Sequence, residues 1–335
     1  MAEAAADPSH APAGVALVTG ATGFVGSHLV DALVEERWRV RCLVRPTSRL
    51  RWLPAEKIEL ATGSVADPGS LRDALRDVRV VFHLAGVTPG VSGGTYDGVN
   101  VAGTSALLGA MREASRGALL VHCSSQAAAG PARAGRPVTE SDPPRPIGPY
   151  GASKLAAERL VAGSGLDHVI VRPPAVYGPR DVDFLPVFRL ARRGLALRIA
   201  PADQRLSLIH VRDLALGFLD AAERGANRGI FFLTDGSAHT WRDVIDAVAS
   251  AVGRRPRVVP VPILAATAAA RGVSLLARLR SRRPLLTTER VRDLAQRDWT
   301  CDDARARREL GFRTSLPLRE GMADTAAWYR DNRWL

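Results

Sequence analysis

Val15-Ala16-Leu17-Val18-Thr19-Gly20-Ala21-Thr22-Gly23-Phe24-Val25-Gly26-Ser27-His28-Leu29 carries strand, turn and helix signals in that order. Apolar strand formers run into three glycines, and an amphipathic pattern follows. A helix opening at such a turn aims backbone N–H groups at an anion. Gly20 permits the tight turn, Gly23 removes a side chain where a pyrophosphate approaches, and Gly26 lets helix and strand pack closely. The spacing G-x-x-G-x-x-G lacks the Gly-Lys-Ser/Thr end of a triphosphate-binding loop. Its position between a strand and a helix points to a dinucleotide.

The rest of the chain suits a soluble α/β protein. Its 335 residues are 46% hydrophobic and 24% charged, enough for a large core without disulfide or metal staples. Cys42, Cys123 and Cys301 are isolated and read as thiols of a reducing, cytoplasmic compartment. Residues 1–13 read as a floppy leader rather than a signal peptide. No apolar run reaches the roughly 18 residues of a spanning helix. The net charge is +12, but its arginines are scattered, which argues against nucleic acid. The dense run Arg278–Arg283 reads as a solvated helix end, with contact to phosphates or anionic lipid as the alternative. The seven histidines show no metal-ligand spacing, and no metal is expected.

Strands and helices alternate through the first half. Strands are expected at Val15–Thr19, Val40–Val44, Ile58–Thr62, Val78–Leu84, Leu119–Ser124 and Val169–Val171. Helices are expected at Val25–Glu36, Asp67–Arg76, Tyr96–Ala114 and Tyr150–Ala162. Apolar strands between helices imply a parallel sheet covered on both faces. Leu206–His210 reads as a strand, and Ile230–Leu233 as a return to the sheet edge. Most of the rest reads as helix, including the apolar Ile263–Arg280. Residues Ala127–Pro149 read as a long loop, and such loops are commonly functional.

In open parallel sheets ligands bind beyond the carboxyl ends of the strands. There lie the glycine loop, Arg45-Pro46-Thr47-Ser48-Arg49, Leu84-Ala85-Gly86 and Ser124-Ser125, followed by Tyr150-Gly151-Ala152-Ser153-Lys154. A spacing of four puts Tyr150 and Lys154 on one helical face. The ammonium is expected to lower the phenol's pKa, so that Tyr150 exchanges a proton with a substrate hydroxyl or carbonyl. Lys154 is one of two lysines in the chain, and a compact point charge there is not interchangeable with Arg. The Ser125 hydroxyl is placed to hydrogen-bond a substrate oxygen.

Taken together, Thr19-Gly20-x-x-Gly23-x-x-Gly26, Leu84-Ala85-Gly86, Asn100, Ser125 and Tyr150-x-x-x-Lys154 resemble the extended short-chain dehydrogenase/reductase family, also called the NAD-dependent epimerase/dehydratase family. Arg172–Pro179 and Ile209–Ala215 look like it too, so the likeness covers about residues 15–235. It implies a Rossmann-type doubly wound parallel sheet (14–175 plus about 206–235) and a small, mostly helical substrate domain (about 176–205 plus 236–335). By the same likeness Tyr150 is the acid/base, Lys154 its activator and ribose ligand, and Ser125 polarises the substrate carbonyl. The cofactor contacts it implies are Gly20, Thr22, Gly23, Phe24, Val25, Gly26, Arg45, Ser64, Val65, Leu84, Ala85, Gly86, Asn100, Ser124, Tyr150, Lys154, Pro173 and Val176.

Charge decides which nicotinamide cofactor to expect. An acid about 20 residues past the glycines holds the 2′-hydroxyl of NAD, whereas Arg accommodates the 2′-phosphate of NADP. No acid occurs between Val40 and Leu53, and Arg45 and Arg49 stand there instead. NADP(H) is therefore expected, with NAD(H) the alternative. Gln126-Ala127 follows Ser125 where the family's sugar dehydratases carry Asp-Glu, which disfavours dehydration. Leu206 stands where its nucleotide-sugar epimerases carry a pyrophosphate-binding Arg; Arg205 is one place off, and a strand shifted by one turns the side chain to the other face. The nearest family character is that of dihydroflavonol-reductase-like and steroid-dehydrogenase-like members. The expectation is an oxidoreductase that interconverts ketone and secondary alcohol on a small molecule. An epimerase and a non-catalytic NADP(H)-binding module are the alternatives. A homodimer through helices near 100–114 and 151–163 is implied as well.

Overall fold

The computed structural model describes residues 14–89, 95–133, 135–199, 201–225, 229–279 and 286–335, the side chains of 274–279 excepted. The leader 1–13 and the side chains of the basic run Arg278–Arg283 lie outside what is described. The first half runs β1 (Val15–Thr19), α1 (Phe24–Glu35), β2 (Arg39–Val44), β3 (Glu59–Thr62), α2 (Pro68–Ala74), β4 (Val78–His83), α3 (Ala102–Ala114), β5 (Leu119–Cys123), α4 (Gln126–Ala129), α5 (Pro149–Ala162) and β6 (His168–Arg172). The second runs β7 (Ala175–Tyr177), α6 (Leu185–Arg192), β8 (Leu195–Arg198), β9 (Arg205–Leu206), β10 (Leu208–His210), α7 (Val211–Arg224), β11 (Gly229–Phe232), β12 (His239–Thr240), α8 (Trp241–Val252), β13 (Arg257–Pro260), α9 (Ile263–Leu279), α10 (Thr288–Leu294), β14 (Asp298–Trp299), α11 (Ala304–Glu309) and α12 (Leu318–Asp331).

Seven parallel strands pair in the order β11-β6-β5-β4-β1-β2-β3. β1 and β6 are buried along their whole length, as strands covered on both faces must be. One face packs Leu29 and Leu33 of α1 and Phe218 of α7 over the sheet. The other packs Leu71 of α2, Leu107 and Met111 of α3 and Val161 of α5. This is a Rossmann-like doubly wound sheet, and its order reverses between β1 and β4, where a crevice forms. A third core joins Phe188, Val244, Val248, Met322 and Tyr329 from α6, α8 and α12.

Where the structure departs from the sequence pattern, the causes are local. The helix expected from Tyr96 opens with a π turn at Asp97–Val101 before α3. The loop expected from Ala127 begins instead as α4, capped by Ser125. The strand expected at Leu206–His210 splits at Ser207, whose N–H donates to the Trp299 carbonyl and whose Oγ accepts from Cys301 N–H. β9 and β10 therefore belong to different small sheets. β7, β8 and β12–β14 have two to four residues each, too few to show an alternating pattern.

Candidate active site

The glycine turn is built as its spacing requires. Gly20 has φ +73°, and a Cβ there would lie 2.6 Å from the Leu84 carbonyl carbon and from Ala85 N. The turn is thus laid against the exit of β4. A Cβ on Gly26 would lie 2.2 Å from the Gly20 carbonyl oxygen. Gly23 is the N-cap of α1; it brings no capping side chain, and the first turn has no acid. The leading N–H groups of a helix have no partner within it. Phe24, Val25 and Gly26 therefore present an open, partially positive end to the crevice. Thr22 and Phe24 remain partly exposed beside it.

At the next strand end Arg45 and Arg49 are exposed, and no carboxylate pairs with either among the described residues. Ser48 Oγ accepts from Arg45 N–H and shapes that turn. Ser64 turns inward on its own loop, its N–H donating to Ser70 Oγ and its Oγ accepting from Ala66 N–H. Val65 is buried against Gly103 of α3.

A chain of buried polar groups ties the strand ends together. Thr19 Oγ1 accepts from Ala85 N–H and lies 2.8 Å from His83 Nδ1; His83 Nε2 lies 3.0 Å from Thr104 Oγ1. Thr104 donates to the Asn100 carbonyl. The Asn100 amide clamps Val87 through its N–H and C=O and donates to Ser153 Oγ of α5. Asn100, expected as a cofactor contact, thus has its side chain committed to holding the Leu84–Val87 turn against α5. Burial pushes His83 down to about 3, so it serves as a neutral connector. His122 lies beside it, ring centroids 5.3 Å apart and planes tilted by 35°, buried, its ring nitrogens without a partner among the described residues.

α5 carries the central residues on one stripe. Tyr150, Lys154 and Glu158 follow one another at intervals of four, so all three face the same way. The Tyr150 phenol lies beside the Ser125 hydroxyl, which also caps α4 by accepting from Ala127 N–H at 3.1 Å. Lys154 is buried, donates to the Cys123 carbonyl at 2.8 Å, and lies against Gly86, where a Cβ would be 3.4 Å from its Nζ. Burial pushes the Lys154 ammonium's pKa down. It pushes the Tyr150 phenol up, with Cys123 and Glu289 acting in the same direction and Ser125 opposing. The lowering expected from Lys154 is therefore not found in the protein alone, and the phenol keeps its proton. Glu158 makes a buried two-bond pair with Arg172 of β6, at 2.8 and 2.6 Å, and accepts from Ser124 Oγ at 2.5 Å. Ser124, another expected cofactor contact, is buried and its hydroxyl is engaged there. Pro173 accepts from Gln126 N–H, and Val176 lies half-buried in β7.

The opposite side of the cleft comes from α10, which the sequence pattern did not single out. Glu289 accepts from Tyr150 N–H at 2.9 Å and from the Tyr96 hydroxyl at 2.7 Å. The two tyrosine rings lie 5.8 Å apart. Arg290 donates to Asp183 and to the Pro89 carbonyl. A crevice of about 10 Å³, the size of one water, remains between Ala127, Gly148, Tyr150, Glu289, Asp293 and Trp299. Burial raises Asp293 to about 6 there. The expected loop supplies part of this wall through Ile147 and Gly148. A signal for α10 does exist, the Thr287 N-cap ahead of an acid, but nothing local says that it reaches Tyr150. A larger cavity of about 370 Å³ at Thr139, Glu140, Asp302 and Arg305 contains none of the expected site residues.

The family model for the NAD dependent epimerase/dehydratase family matches residues 16–232. The chain belongs to that family. Its members are NAD(P)-dependent oxidoreductases, epimerases and dehydratases of the extended short-chain type, and this family member is an NAD(P)-dependent enzyme of that kind. It is 32% identical to a ceramide reductase of Caulobacter vibrioides over 96% of each chain. It is 34% identical to a 4-hydroxy-2-methyl-3-oxo-4-farnesyl-3,4-dihydroquinoline-1-oxide ketoreductase of Stigmatella aurantiaca, over 91% of this chain and 93% of that one. The solved structure of MoeE5 in complex with UDP-glucuronic acid and NAD is 29% identical, with a TM-score of 0.74, over 95% of this chain and 100% of that one. Among the described residues of the family member, no helix is long and apolar enough to cross a membrane.

Proposed function

We propose that the protein is an NADP(H)-dependent oxidoreductase that interconverts a ketone and a secondary alcohol on a small-molecule substrate. The observation that carries this is the Tyr150 phenol beside the Ser125 hydroxyl, one helical turn from a buried Lys154 fixed to the Cys123 carbonyl. The cofactor fits what surrounds it: an uncapped helix end, a turn with no room for side chains at Gly20 and Gly26, and two unpaired arginines at the end of β2. When bound, it supplies or accepts the hydride. Ser125 and Tyr150 hydrogen-bond the substrate oxygen, and Tyr150 Oη gives its proton to that oxygen in the reducing direction. Lys154 holds a ribose hydroxyl with the N–H groups left over from the Cys123 carbonyl. The open end of α1 receives the pyrophosphate, and Arg45 takes the 2′-phosphate.

The relatives named for a ceramide and for a farnesyl-bearing ketone support a substrate with an apolar chain. A nucleotide sugar is disfavoured because Arg205 is ion-paired with Asp298 and also donates to the Gly135 carbonyl. The reading includes residues 176–205 and 236–335 as the substrate side, a homodimer through α3 and α5, and a cytoplasmic location. The test is a titration with NADPH and NADH, followed by a ketone screen with the tighter one. NADPH should bind more tightly, and Arg45→Asp should weaken NADPH about tenfold to a hundredfold, the worth of a charge-assisted contact, while leaving NADH unaffected. Preference for NADH in the unaltered protein overturns the cofactor assignment, and isomerisation without net change in reduced nicotinamide overturns the reductase.

A further inference from the structure

The side of the molecule beyond the cleft has an unusual surface. Among the described residues nine large apolar side chains are exposed, and six of them, Leu195, Leu197, Val258, Ile263, Leu264 and Val273, come from β8, β13 and α9. These elements are adjacent: β8 and β13 pair in parallel, and Val261 N–H, just past β13, donates to the Arg198 carbonyl on the way into α9. α9 is turned the wrong way round for a helix at a water surface. Its buried stripe is small, Ala266 and Ala270 against Val291 of α10 and Ile199. Its outward side carries Leu264, 84% exposed, with Ile263 and Val273 on the flanks. Arg271 is the only charged residue in 263–273, and the Thr267 hydroxyl donates back to the Ile263 carbonyl.

The described segments that form this face carry charge of one sign. Residues 247–273 contain four arginines and no Asp or Glu, and residues 184–199 contain four arginines and no Asp or Glu. Arg193, Arg254, Arg255, Arg257 and Arg271 are exposed, and among the described residues no carboxylate pairs with them. Nucleic acid would meet the arginines but gain nothing from Leu264 or Ile263, and the patch has no aromatic ring for a base to stack on. A second copy of this chain would bring the same positive charge to the contact. An interfacial membrane site needs both parts at once: apolar side chains to enter the acyl boundary and cations for anionic headgroups.

We infer that α9, with the β8–β13 edge, is a docking surface for an anionic lipid bilayer, on which the protein sits without spanning it. α9 packs directly on α10, and α10 carries Glu289 to Tyr150, so the docked face adjoins the mouth of the cleft. The corollary that the substrate is an amphiphile drawn from that bilayer rests on the ketone-reductase reading. The docking itself does not.

The test is sedimentation of the full chain with vesicles of phosphatidylcholine alone and of phosphatidylcholine with phosphatidylglycerol, at low and raised salt. The protein should bind the anionic vesicles, and salt should weaken the binding because surface charges are screened. Leu264→Asp should reduce it about tenfold or more, the worth of one leucine's burial. Arg255→Glu with Arg257→Glu should reduce it as well. NADPH binding should stay unchanged in every variant, which shows that each is folded and separates failure of docking from failure of the cofactor reading. No binding to either vesicle, or binding indifferent to Leu264, overturns the proposal. So does a dimer that Leu264→Asp converts to monomer, or RNA binding that replaces vesicle binding.

Discussion

The two sides of the Tyr150 cleft are built on different terms. On the sheet side the central polar groups are buried and answered: Lys154 by Cys123, Asn100 by Val87 and Ser153, Glu158 by Arg172 and Ser124. On the far side two carboxylates, Glu289 and Asp293, reach the cleft from a helix whose neighbour α9 shows apolar side chains to solvent. Buried, satisfied networks hold a single geometry, whereas a lightly tethered surface element can change without disturbing it. Under the proposed function, proton handling belongs to the sheet side and substrate choice to the other.

The harshest way to break the comparison is to remove the phenol hydroxyl. Tyr150→Phe should lower turnover by about 10²–10⁴, the usual worth of a positioned acid/base, with NADPH affinity unchanged. Steady-state kinetics beside a cofactor titration checks both. A variant that keeps most of its activity would falsify the assignment of Tyr150. Next in size is the anchor beneath it. Glu158→Ala leaves the Arg172 guanidinium buried and alone, which should cost about 3–5 kcal/mol of stability, read from the urea midpoint. Replacing both partners, as Glu158→Leu with Arg172→Met, should recover most of that loss. If the double variant is no better than the single, the pair does more than satisfy itself.

How far the sequence reached follows the same division. The glycine turn and the Tyr150/Lys154 pair depend on contacts within one turn or one strand-to-helix step, and such contacts show as spacing. Asn100 and Ser124 were recognisable as motif residues, but their partners lie 53 and 34 positions away, so a cofactor contact could not be told from an internal clamp. Glu289 meets Tyr150 across 139 positions, and no periodicity encodes that. The Tyr150 pKa turned on burial, which the Tyr-x-x-x-Lys spacing does not report.

A smaller effect probes the joint between the glycine-loop helix and the segment after β7. His28 of α1 donates from Nε2 to the Pro179 carbonyl at 2.9 Å, and burial pulls it down to about 4 from 6.5. The unfolded chain therefore takes up the proton first. This contribution to stability is whole above pH 6.5 and is lost as pH falls toward about 4, at most about 3 kcal/mol. Asp181, raised from 3.8 to about 7 by burial, slopes the other way over the whole of that range. The informative quantity is consequently the difference between His28→Gln, which keeps a donor for Pro179, and the unaltered protein. Denaturant midpoints against pH should show the variant losing less on acidification. Parallel curves would remove His28 from the account.

The gentlest test touches a group that joins the two sides. Glu289 sits at the N-terminal end of α5, where a carboxylate contributes about 0.3–1 kcal/mol, and its charge adds to the forces holding Tyr150 protonated. Glu289→Gln keeps an acceptor for Tyr150 N–H and removes the charge. Turnover should change only a few-fold, and the limb of the kcat/KM pH profile that reports the phenol should move to lower pH. A purely structural Glu289 predicts a lower Tm with that limb unmoved. Movement of the limb with little change in Tm means that α10, on the variable side of the cleft, tunes the proton that the fixed side delivers.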